Sequence, residues 1–112
     1  PTNKSMGMTL DTQKKLNDIS HDNLIHISNK EEFILIDLRE KSEILKKPAL
    51  NNYINVPYSN LEVYIKNNKK SLESKKIIFY CAVGERSALA IQICQSYKFK
   101  QINHLIGGIN NI

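Results

Sequence analysis

The chain has 112 residues, 41% hydrophobic and 24% charged, with a formal net charge of +5. That length suits one modest core and leaves no room for a second domain, and no apolar run nears the roughly 20 residues that span a bilayer. The lysines are spread among Asn and Ile rather than clustered with aromatics, so the positive charge reads as a solvated surface and not as a nucleic-acid face.

In chain order, Pro1 to Asp18 are polar with scattered Leu10 and Leu16, and are expected to form an arm or linker ahead of a domain running from Ile19 to Ile112. Because the chain starts at Pro1 and not Met, excision from a longer protein is one reading of that arm and a disordered terminus is the other. The arm lacks the apolar stretch of a secretory signal, which makes the cytoplasm the expected compartment. Ser20, followed by Asp22, Asn23, Leu24, Ile25 and Ile27, predicts an N-capped short helix. Phe33 to Ile36, ending at Asp37, is the short apolar run of a strand buried on both faces, and Tyr53 to Val56, stopped by Pro57, reads the same way. Ser59 and Glu62 have capping-box spacing ahead of a helix that carries Leu61, Tyr64 and Ile65.

Ile77 to Tyr80 predicts the strongest strand, and it runs straight into Cys81. Ser87 to Tyr97 predicts a helix with Leu89, Ile93 and Tyr97 on one stripe, and Ile102 to Leu105 a last strand before Gly107 and Gly108. Strands alternating with helices imply an α/β domain with a central parallel sheet of about five short strands and helices on both faces. Ligands of such sheets bind beyond the carboxyl ends of the strands, which is where Cys81 falls.

The segment Cys81-Ala82-Val83-Gly84-Glu85-Arg86-Ser87 carries the chemistry. Between a strand and a helix start, successive backbone N–H groups can form a nest for an anion, to which the helix adds its positive end. Gly84 can adopt backbone angles closed to other residues. These dipoles and Arg86 are expected to make Cys81 a nucleophile that ionises more readily than a free thiol, at the mouth of the pocket. Cys94, beside Ile93 in the helix, reads instead as a small buried hydrophobe. His21, His26 and His104 are too far apart in sequence to suggest a metal site, and no metal or organic cofactor is implied.

The chain resembles the rhodanese family in four motifs in the same order. They are Ile36-Asp37-Leu38-Arg39-Glu40, Ile54-Asn55-Val56-Pro57, the Cys81 to Ser87 loop, and Leu105-Ile106-Gly107-Gly108-Ile109. The resemblance implies a sulfurtransferase that carries sulfane sulfur as a persulfide on Cys81, held by the Ala82 to Ser87 cradle. Arg86 would order that loop. By the same resemblance Arg39 would lie near the pocket and hold an anionic donor, while Asp37 would be structural. Val83 stands where some thiosulfate-using members carry a basic residue and the loop also holds an acid at Glu85, which favours a protein persulfide as donor. The partners implied are a small anionic sulfur donor or a cysteine desulfurase persulfide, with a thiol, cyanide or a sulfur-carrier protein as acceptor; a monomer is expected.

Two rivals remain. Rhodanese-like domains can serve as non-catalytic docking modules, against which stands the retention of Cys81, Gly84 and Arg86. Cysteine-dependent phosphatases and arsenate reductases also place an Arg after a cysteine loop, commonly with five residues between; here there are four, Ala82 to Glu85, a cradle closer to the size of one sulfur atom. A further reading, compatible with sulfur transfer, resembles the rhodanese domains fused to adenylyltransferases that activate sulfur-carrier proteins, with the arm as linker.

Overall fold

The computed structural model describes residues 17–112, so nearly all of the expected arm lies outside the described residues. Five parallel strands form one sheet: β1 (Asp18–Ile19), β2 (Ile34–Asp37), β3 (Tyr53–Asn55), β4 (Ile77–Tyr80) and β5 (Ile102–Leu105), in the order β1-β5-β4-β2-β3. The helices are α1 (His21–Ser28), α2 (Lys41–Lys46), α3 (Leu61–Glu73) and α4 (Glu85–Ser96), with 3-10 turns at Tyr58–Asn60 and Ile109–Asn111. The α/β class and the parallel five-stranded sheet are those expected. Among the described residues no helix is long and apolar enough to cross a membrane.

β4 lies at the centre of the sheet, and all four of its side chains are buried. Alternation along a strand sends successive side chains to opposite faces, so Ile77 and Phe79 join one core cluster and Ile78 and Tyr80 the other. The first cluster takes Leu61, Ile65 and Leu72 from α3 and Ala90, Ile91 and Cys94 from α4. The second is smaller and is closed by Leu24 of α1 with Ile109. Cys81 continues the first series and packs into the first cluster. Burial of large aliphatic side chains in these clusters, at roughly 1.5–3 kcal/mol each, is the main force holding the sheet between its helices.

Four expectations need correction. Asp18 does not belong to the arm: it pairs in β1 with His104, and the Asn17 side chain donates to the Ile102 carbonyl at 2.9 Å. β3 is an edge strand, so Tyr53 and Ile54 are exposed instead of buried on both faces. Ser59 makes no capping box, because Tyr58–Asn60 forms a 3-10 turn that leads into α3 with no side-chain cap. In α4, Leu89 is exposed and the buried positions are Ser87, Ala90, Ile91 and Cys94; the helix also starts two residues earlier than expected. Ser20 caps α1 as expected, accepting the Asn23 N–H at 3.2 Å.

Candidate active site

The β4 strand delivers Cys81 to the carboxyl edge of the sheet, and the chain then turns at once into α4. Gly84 takes φ +103, in the left-handed region that favours glycine, and this bends the loop back over the sulfur. The Gly84 N–H donates to Cys81 Sγ at 3.1 Å and the Ser87 N–H at 3.4 Å. Both amides sit at the start of α4, where the unpaired N–H groups of a helix carry positive partial charge. The Ser87 side chain, buried in the first turn of the helix, brings its hydroxyl within 3.2 Å of the Gly84 carbonyl and within 2.8 Å of His104 Nδ1. Cys81 itself has no solvent exposure. The expectation of a thiol at the pocket mouth is therefore corrected: the sulfur is the floor of the loop, because the strand's alternation turns it into the core.

The loop is braced from below by the double-glycine stretch. The Ile109 N–H donates to the Cys81 carbonyl at 2.9 Å and the Asn110 N–H to the Ala82 carbonyl at 3.0 Å. In a trans peptide the N–H points opposite to the preceding C=O, so these two bonds turn the amides of Ala82 and Val83 away from the closing turn. Gly108, at φ +69 and ψ −175, lies so close that an added Cβ would collide with the Ala82 carbonyl. The glycine is what lets the two segments touch.

Arg86 points to α2, not to open solvent. Its two terminal nitrogens each bind one oxygen of Glu43 at 2.8 Å, and Glu43 also accepts the Glu40 N–H at 3.0 Å in a capping box. The Arg86 hydrogen bond, working against burial, holds the Glu43 carboxyl down to about 2. Glu43 in turn raises the Arg86 guanidinium, first through their hydrogen bond, and Cys81 adds a smaller effect of the same sign. The role of Glu43 escaped the sequence reading, although Glu40 and Glu43 have the three-residue spacing of a box.

Arg39 is not available to a donor. It is 1% exposed, and its guanidinium is spent on Asp37 (Nη2 to Oδ2 at 2.9 Å, Nε to Oδ1 at 3.1 Å) and on the Lys47 carbonyl (2.8 Å). It also lies 5.9 Å over the Tyr80 ring. Asp37 further accepts the Arg39 N–H at 2.9 Å, so it fixes neighbouring backbone as expected. The signal was present: residues two apart in extended chain share a face, and Asp37 and Arg39 are so spaced.

Outside the loop, a hollow of about 500 Å³ is bordered by Val83, Gly84, Glu85, Leu89, His104 and Ile106 among others. Val83, Leu89 and Ile106 expose apolar side chains there. Glu85 sits in the first turn of α4, where its charge suits the helix dipole. Cys94 is sealed in the core and burial pushes its thiol up to about 12, so it is no nucleophile.

A family model for the rhodanese-like domain matches residues 13–112. The chain belongs to the rhodanese-like domain family. Members of this family are generally sulfurtransferases. The chain is 30% identical over 83 residues to a tRNA uridine(34) hydroxylase of Rickettsia canadensis, covering 71% of this chain and 33% of that protein. It is 26% identical over 100 residues to a mouse thiosulfate sulfurtransferase/rhodanese-like domain-containing protein 3, covering 80% of this chain and 64% of that one. The chain thus spans a third to just under two-thirds of the length of these relatives. Among solved structures, a Rhodopseudomonas palustris protein of unknown function, described as a possible tyrosine phosphatase, superposes with a TM-score of 0.75 at 26% identity, over 85% of this chain and 77% of that one. A human single-domain sulfurtransferase shares the fold, with a TM-score of 0.70 at 18% identity, over 82% of this chain and 90% of that one. In this rhodanese-like domain the candidate site residues come from the loop that follows β4 and the first turn of α4, with α2 and the double-glycine stretch as supports.

Proposed function

We propose that this rhodanese-like domain is a sulfurtransferase that carries sulfane sulfur on Cys81. The observation that carries the reading is the pair of amides, from Gly84 and Ser87, aimed at Cys81 Sγ in a loop with four residues between Cys81 and Arg86. In the first step the Cys81 thiolate attacks the outer sulfur of a donor. The Sγ–S bond forms as the donor's S–S bond breaks, and the donor leaves as sulfite or a thiolate. The persulfide's negative charge is met by N–H groups already oriented for it, which is how preorganised dipoles stabilise developing charge. An acceptor nucleophile then takes the outer sulfur, and the Cys81 thiolate is regenerated. Because Cys81 is enclosed, each exchange requires the loop to shift outward.

The donor is a small anionic sulfur compound or a cysteine desulfurase persulfide, and the acceptor a thiol, cyanide or a sulfur-carrier protein. A phosphatase reading is disfavoured by Arg86: its guanidinium fork, which would have to clamp the phosphate, is already filled by the Glu43 carboxylate. The test is intact mass after incubation with thiosulfate, and separately with a cysteine desulfurase plus cysteine. Gain of one sulfur atom, absent in Cys81→Ser, supports the reading and ranks the donors. No gain from either donor overturns it in favour of a docking module.

A further inference from the structure

Behind the loop, three polar side chains run in line from the buried sulfur to the surface hollow. Ser87 Oγ stands 3.7 Å from Cys81 Sγ and 2.8 Å from His104 Nδ1, and His104 Nε2 stands 3.0 Å from Asp18 Oδ1. The sheet's register builds this row. Asp18 of β1 and Phe79 of β4 are both lateral partners of His104 in β5, and lateral partners in a parallel sheet project from the same face. Phe79 faces the cluster that includes α4, so His104 and Asp18 reach toward the first turn of α4, where Ser87 is fully buried.

The hydrogen-bonding capacity of the groups sets the direction of the chain. An ionised Asp18 only accepts, so Nε2 must carry a proton, which leaves Nδ1 of the neutral ring as an acceptor. The Ser87 hydroxyl has one proton and two nearby acceptors, Nδ1 at 2.8 Å and the Gly84 carbonyl at 3.2 Å; Nδ1 is the nearer. A Ser87 hydroxyl donating to Nδ1 keeps its own oxygen lone pairs for the Cys81 S–H.

We propose that Ser87 and His104 form a proton relay for Cys81, with Asp18 as the group that positions the imidazole. On ionisation the S–H bond breaks and its electron pair stays on Sγ. The proton passes to Ser87 Oγ while the serine's own proton moves to His104 Nδ1, giving a thiolate and an imidazolium beside Asp18. No net charge enters the site, and reversal returns the proton. Among the described residues the charged groups that share this region are Asp18 of β1 and Glu85 of α4, both on the hollow with His104. Both are acidic and favour the imidazolium, while Arg86 of α4 is engaged with Glu43. The relay deepens the sulfurtransferase reading, since it rests on Cys81 as the nucleophile.

The test reads thiolate ultraviolet absorption at neutral pH as the difference from Cys81→Ser, which needs no reagent to enter the loop. Ser87→Ala and His104→Gln are expected to lower the thiolate signal several-fold, and Ser87→Thr, which keeps a hydroxyl, to retain it. A merely structural role for Ser87 would be disturbed by threonine at least as much as by alanine. Should His104→Gln not fold, the two Ser87 variants decide. The relay is overturned if the wild type shows no thiolate at neutral pH, if Ser87→Ala keeps the wild-type signal, or if Ser87→Thr loses as much as Ser87→Ala. Because the readout is ionisation and not sulfur loading, failure of the protein to carry sulfur is a separate result and counts against the sulfurtransferase reading alone.

Discussion

Glu43 grips Arg86 through both carboxylate oxygens, each 2.8 Å from a guanidinium nitrogen, and so ties α2 to the first turn of α4. The folded-state value of Glu43, about 2, lies below its ordinary 4.5. Its contribution is therefore complete above about 4.5 and is lost as pH falls toward 2. For a pair about one-third open to screening solvent, Glu43→Gln should lower stability by about 0.5–1 kcal/mol at neutral pH. Urea denaturation of both proteins at several pH values should show that gap closing as acid is added; a gap independent of pH would contradict the pairing.

Arg39 should prove a structural residue. Replacing it with Met leaves the buried Asp37 carboxylate without its partner, and removal of one member of a buried pair costs about 3–5 kcal/mol. The complementary measurement is sulfur loading of Arg39→Lys at a temperature where it remains folded: apparent donor affinity should be unchanged, whereas a donor-binding arginine would raise KM.

Gly108→Ala places a methyl group against the Ala82 carbonyl at a backbone angle that alanine avoids. The strain is at least about 1–3 kcal/mol. Because it acts on the segment that orients the loop amides, sulfur loading should fall further than thermal stability alone accounts for. Equal loading at saturating donor by the folded fraction of the variant would contradict this bracing role.

Cys94→Ala should leave sulfur carriage intact while costing about 1–2 kcal/mol from the small cavity it opens. The intact-mass experiment on this variant should still show one added sulfur, removed only when Cys81 is also replaced.

The sequence disclosed those parts of the molecule whose signal is local. β4 was legible to the residue as an apolar run of four between Lys76 and Cys81, and β5 as Ile102 to Leu105 shortly before the double glycine. The cysteine loop was legible from its own residues. α2 was not, because a six-residue helix that buries nothing leaves no apolar periodicity to read. α4 misled for the opposite reason: its buried face is built of Ser87, Ala90 and Cys94, which are small, with Ile91 the one large apolar residue among them, so no stripe stands out. The contacts that complete the site depend on register. Asp18 and His104 are 86 positions apart, and only the lateral pairing of β1 with β5 brings them together.

The bonds from Ile109 and Asn110 to the carbonyls of Cys81 and Ala82 bear on any attempt at redesign. Grafting the heptapeptide 81–87 onto the end of a strand in another scaffold would import the sulfur without the handle that rotates its peptide planes. A graft with this chemistry must bring residues 105–110 along, as a second, non-contiguous piece.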